Sequence, residues 1–137
     1  MVQARQPGPF YPGNEYVDWI GFTVQNRTDA GHPYLDLRDC FKKYYKWARK
    51  EHPKKPIMLV EMGKSNDVNQ PKWIRNAYKK LKEEFPAIKA AICWEGILRY
   101  SDGRIVDDFR AFINPESIEE RREALKDPYF IGSIINK

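Results

Sequence analysis

The sequence predicts an α/β fold in which parallel strands lie beneath outer helices. Three observations predict it. Three short runs are apolar throughout, the two segments between them carry apolar residues at helical spacing, and a polar residue stands where each run ends. Strands without polar alternation belong to parallel sheets covered by helices.

The elements follow in order. Residues 1–18 carry turn chemistry, with Pro7-Gly8-Pro9 and Tyr11-Pro12-Gly13-Asn14. Trp19 to Val24 is apolar and rich in β-branched and aromatic side chains, which predicts a buried strand. A polar loop runs from Asn26 to about Tyr34. Leu37, Phe41, Tyr44, Tyr45 and Ala48 then fall on one helical face, with Asp36 or Asp39 at the start and His52-Pro53 at the end. Ile57 to Val60 predicts a second strand, ending in Glu61-Met62-Gly63. Trp73, Ile74, Ala77, Tyr78, Leu81 and Phe85 mark a second helix, closed by Pro86. Ile88 to Trp94 is the third strand, ending in Glu95-Gly96. Leu98-Arg99-Tyr100 and Arg104-Ile105-Val106 flank Ser101-Asp102-Gly103 as a small hairpin. Pro115 to Lys126 is a charged helix, its Pro and Glu residues suited to a helix N-terminus and Asp127-Pro128 stopping it.

At 137 residues the chain is one domain, 1–137. The net charge of +5 is spread as interleaved Lys, Arg and Glu on helical faces, as in Lys79 to Glu84, with no nucleic-acid-binding signature beside it. A solvated surface is therefore expected rather than a nucleic-acid partner. No apolar run reaches membrane-spanning length and no signal peptide opens the chain, which leaves localisation open. Cys40 and Cys93 fall on different elements and read as two unpaired core thiols. His32 and His52 have no partner at metal-ligand spacing.

Three strands cannot close a barrel, and their two free edges invite pairing. The chain is either a small open α/β domain or a piece of a larger sheet completed by another chain. Function in parallel α/β folds gathers at the C-terminal strand ends. Gln25-Asn26, Glu61 and Trp94-Glu95 stand there. Glu61, directly after four apolar residues, is the most pointed of these. A carboxylate so placed serves as a nucleophile or general base, or else as a structural partner for a helix N-terminus or an arginine. Trp94 offers an indole face to a sugar ring or to the core. Since neighbours in a strand face opposite ways, Trp94 and Glu95 share the mouth only if the strand has ended.

Four stretches carry a family resemblance. Tyr11 to Gly21, Lys55 to Gly63, Trp73 to Ala90 and Asp127 to Phe130 resemble, in the same order, the sixth strand's lead-in, the seventh strand, the following helix and eighth strand, and the closing segment of glycoside hydrolase family 26, the β-mannanase type. The resemblance implies a partial TIM barrel of about three βα units, matching strands six to eight. It also implies a retaining glycosidase with Glu61 as nucleophile and Trp94 lining the cleavage subsite, while Gln25, Asn26 and Glu95 are further substrate-binding candidates by their place at the strand ends. Polysaccharide or oligosaccharide is the implied partner, and neither metal nor organic cofactor is called for.

Two departures qualify this. Gln25 replaces a tyrosine that bonds the nucleophile in family members, and Glu95 replaces a Phe or small polar residue. The family's acid/base Glu lies at the end of the fourth strand, before the region this chain matches. Retention needs two carboxyl groups about 5–5.5 Å apart, and loss of the acid forfeits roughly 10²–10⁴-fold in rate. The chain alone is therefore expected to be inactive, pairing through its open edges with an N-terminal half-barrel or with itself. The alternative is a non-catalytic half-barrel remnant that self-associates or holds saccharide weakly.

Overall fold

The computed structural model describes residues 8–28 and 33–131; His32 and Pro7 lie outside them. Two single 3₁₀ turns, Gly8–Phe10 and Asn14–Tyr16, lead into strand β1 (Ile20–Asn26). Helix α1 (Leu37–Glu51), strand β2 (Ile57–Lys64), helix α2 (Gln70–Glu83) and strand β3 (Ile88–Cys93) follow. A hairpin of β4 (Ile97–Arg99) and β5 (Ile105–Asp108), a 3₁₀ turn and helix α3 (Pro115–Leu125) complete the order.

The three long strands form one parallel sheet in the order β1-β2-β3, and β4 and β5 form a separate antiparallel pair. The predicted α/β architecture of about three parallel units with outer helices is the one observed. β2 continues four residues beyond Val60, because Met62, Gly63 and Lys64 still pair with Val24, Gln25 and Asn26. Glu61 therefore lies within the strand and not beyond its end.

Local chemistry explains the boundaries. Asp36 accepts from the Asp39 backbone while the Asp39 side chain accepts from Asp36, a capping box that starts α1. At the other end His52 closes the last turn through the Ala48 carbonyl. Pro71 opens α2, where its missing N–H costs nothing. Asn114 caps α3 by accepting from the Glu116 and Ser117 backbones.

The core lies between the sheet and the helices. Leu37 and Phe41 from α1, Ile57 and Leu59 from β2, and Trp73, Ile74, Ala77 and Leu81 from α2 are all buried. Phe41 is its hub, edge-on to Phe22 at 5.2 Å and to Phe85 at 5.4 Å. Such aromatic pairs add to the stabilisation from area alone. α1 covers β1, α2 covers β2, and α3 packs against α2. Both cysteines are free, and Cys40 is pushed up to about 11 by burial, with Asp39 and Asp36 beside it.

Candidate active site

Which face of the sheet a side chain takes decides whether it can meet a ligand. Phe22 packs on Phe41, Tyr44 and Trp47, so Ile20, Phe22 and Val24 face the helices. Alternation sends Gly21, Thr23 and Gln25 to the opposite, open face.

On β2, Leu59 pairs with Phe22 and faces the helices. Two residues on, Glu61 would take the same side in a regular strand. A bulge intervenes: Phe22 pairs with Leu59 but Thr23 pairs with Glu61, so β2 carries one extra residue. That residue, Val60, turns Glu61 onto the open face beside Thr23. Gly21 gives it room, since a Cβ there would come within 2.9 Å of Val60 Cγ1. The Gln25 amide then donates to Glu61 Oε2 at 3.3 Å. Both side chains are partly exposed.

The bulge was not legible in the sequence, yet it puts the candidate carboxylate where strand alternation alone would not. Gln25 occupies the position where the resemblance expects a tyrosine, and its amide reaches the carboxylate.

Trp94 extends the β2–β3 pairing, its backbone N–H donating to the Met62 carbonyl at 3.0 Å. Cys93 turns to α2, with its sulfur 3.5 Å from the Tyr78 hydroxyl, so register puts Trp94 on the open side. Its ring meets Phe109 with centroids 4.9 Å apart, and Gly96 lies close against the indole. Phe109 also covers Gly63, where a Cβ would come within 3.0 Å of its ring. This buried phenylalanine, just after β5, is the rim residue that sequence reading missed. The short hairpin before it was the available signal.

Two expected substrate-binding residues take other positions. β3 ends at Cys93, and Glu95 turns toward the helical layer. Its carboxylate accepts from the Ala111 backbone at 2.6 Å and pairs with Arg121 of α3. Glu95 thus fastens α3 to the rim. Asn26 shares the helix-facing side with Val24, is 3% exposed, and donates to the Pro33 carbonyl at 3.4 Å. It has almost no surface to offer a ligand.

Two further rim carboxylates among the described residues are also held. Asp107 accepts from Arg27 at 2.7 Å, and Arg110 holds Asp108 in three hydrogen bonds, two from its guanidinium and one from its backbone N–H. The Arg110 guanidinium keeps the Asp108 carboxyl below the usual range against the opposing effect of burial. Among the described residues, no group of three or more His, Cys, Asp or Glu is placed to hold a metal ion. No helix among them is long and apolar enough to cross a membrane.

The chain resembles several proteins of known structure. The chain is similar to the endo-β-1,4-mannanase from Thermotoga petrophila, at 19% identity, with 88% of this chain and 28% of that chain covered and a TM-score of 0.50. It also matches an endo-β-1,4-glucanase from Xanthomonas axonopodis pv. citri, at 12% identity, 77% of this chain, 36% of that chain and a TM-score of 0.48. A third match is a GH128 exo-β-1,3-glucanase from Aureobasidium namibiae, at 18% identity, 73% of this chain, 34% of that chain and a TM-score of 0.42. No family model and no curated protein matches the chain. The likeness to the mannanase defines the fold: three parallel βα units arranged as in part of a (β/α)₈ barrel. The chain spans about a third of the length of these structures.

Proposed function

We propose that this chain is the nucleophile-bearing segment of a family 26-like β-mannanase, working by a retaining mechanism. The observation that carries the reading is the placement of Glu61. A bulge brings it to the open face of the sheet, where Gln25 donates to one carboxylate oxygen. One oxygen is thereby oriented while the other is left to attack an anomeric carbon. Trp94, backed by Phe109, offers its indole to the sugar ring.

Among the described residues the rim carboxyl groups around Glu61 are committed, and the reading takes the acid from another segment. Glu95, Asp107 and Asp108 are each held by an arginine at the rim, and a committed carboxylate is a poor proton donor. The edges of β1 and β3 have no strand partner among the described residues. Beside β3 runs a groove of about 530 Å³ lined by Met62, Tyr78, Leu81, Ile88, Phe130 and others. A half-barrel bearing the acid, joined along these edges, would complete both the sheet and the pair of carboxyls.

Mixing the chain with a polypeptide carrying the first five βα units of such a barrel tests this. Mannan hydrolysis by the mixture, by neither part alone, and lost in Glu61→Gln, is the expected result. An assembled but inert mixture, or one indifferent to Glu61→Gln, refutes it.

A further inference from the structure

Gln25 and Glu61 come from different strands, and their 3.3 Å hydrogen bond is at the long end of the usual range. A small slip of β1 against β2 would break it. Just past these residues, one buried carboxylate ties the two strand ends together. Asp107 is 3% exposed, accepts from Arg27 Nε at 2.7 Å and receives the Ser65 hydroxyl. Arg27 follows Gln25 by two positions in the chain, and Ser65 follows Glu61 by four.

Asp107 itself belongs to β5, outside the parallel sheet. Around it the strand ends are laced further. The Ser65 N–H donates to the Asn26 carbonyl at 3.0 Å, and the Thr28 N–H to the Ser65 hydroxyl at 3.2 Å. The Asn66 N–H reaches the Asp108 carbonyl at 2.6 Å. The hairpin is thus bolted to both strands at the rim by an ionic contact whose carboxylate end is buried, while the Arg27 side chain is 35% exposed. Around the buried carboxylate solvent competes weakly, so its bonds hold geometry.

We infer that Asp107 is a positioning residue: by clamping Arg27 and Ser65 it fixes the end of β1 against the end of β2, and so holds the Gln25 amide on Glu61. Its value for catalysis presupposes that Glu61 is the nucleophile, whereas the clamp itself can be measured without turnover. Asp107 touches no reacting atom in this scheme.

The test follows the Gln25 side-chain amide by NMR in the nitrogen-15-labelled chain through an acid titration. The Glu61→Gln variant identifies the part of the pH response that comes from Glu61. The wild type is expected to show such a response, and Asp107→Asn and Ser65→Ala each to reduce it to less than half. Glu120→Gln, which breaks the exposed Arg75–Glu120 pair, is the control and should leave it whole. If Asp107→Asn does not fold, Ser65→Ala decides. A full response in Ser65→Ala or in folded Asp107→Asn overturns the inference, as does an equal loss in the control or no response in the wild type. Hydrolysis that survives Glu61→Gln would remove the nucleophile reading and leave this result standing, so the two failures are distinguishable.

Discussion

Gln25 and Glu61 meet across the seam between β1 and β2, the amide nitrogen of one 3.3 Å from a carboxylate oxygen of the other. Neither strand's alternation alone would predict the meeting. It depends on the extra residue at Val60, which shifts the register between Phe22 and Thr23.

Removing the amide should weaken the site without emptying it. A partly exposed hydrogen bond to a charged group contributes about 1.5–3 kcal/mol when well formed, and the long bond here places Gln25→Ala at the low end. In the reconstituted enzyme this variant is expected to lose roughly tenfold in kcat, since 1.36 kcal/mol is a factor of ten in rate. Thermal stability should change little. Steady-state kinetics beside a melting curve checks both, and an unchanged kcat would show that the amide does not orient the nucleophile.

Gly21 should be intolerant for a reason that lies on β2. A Cβ at this position meets Val60 Cγ1 at 2.9 Å, and a β-branched side chain has little freedom to yield. Gly21→Ala is expected to cost about 1–3 kcal/mol, the range for overpacking, and to disturb the bulge that orients Glu61. Denaturant unfolding gives the first quantity. Loss of the Glu61-dependent NMR response of Gln25 gives the second.

Glu95 is expected to matter for stability. Glu95→Ala strips Arg121 of its carboxylate and the Ala111 N–H of its acceptor. Leaving part-buried donors unmet costs about 1–3 kcal/mol. Glu95→Gln, which keeps an acceptor for Ala111, should lose less. Unfolding curves of the two variants rank them; equal and negligible losses would return Glu95 to the list of ligand contacts.

Stability should fall off on both sides of neutrality. Hydrogen bonds from Arg38 and Arg110 hold the Glu84 and Asp108 carboxyls below their ordinary values. For Asp36, burial opposes the bonds from Lys80 and the Asp39 backbone, and the bonds prevail. Depressed folded-state values contribute stability that is present above the unfolded carboxyl range, about pH 4, and lost as pH falls through the lower folded values. Cys40 works in the other direction. Burial raises its thiol from 9.0 to about 11, so its contribution is complete below pH 9.0 and lost as pH rises through 11. Chemical denaturation from acid to alkaline pH should show both flanks, and Cys40→Ser should flatten the alkaline one. For the same reason Cys40 should resist alkylation at pH 8.

The order of elements was readable because each carries a local signal. Leu37, Phe41 and Ala48 recur at helical spacing, Asp36 and Asp39 sit where a helix begins, and Ile57 to Val60 is apolar without interruption. Glu61 was expected at the mouth of the sheet, which is not where the strand puts it. The sequence placed it past the strand's end, whereas it lies inside a strand and faces outward because of a bulge. Bulges arise from packing between strands, here Val60 against Gly21, and no single run of residues encodes that. The orientations of Asn26 and Glu95 were hidden for a similar cause. Their partners, Pro33, Ala111 and Arg121, come from loops and a helix whose approach the sequence does not state. Asp107 was hidden too, because a charge at 3% exposure looks the same in sequence as a solvated one.

The most direct measurement of the central claim is covalent trapping. The chain, assembled with a half-barrel carrying the acid, is treated with a fluorinated mannoside that forms a slowly hydrolysed glycosyl-enzyme, and the labelled peptide is found by mass spectrometry. A single sugar ester on Glu61, absent from Glu61→Gln, is the result predicted. A label on another carboxylate, or turnover of mannan with Glu61 unlabelled, would contradict it.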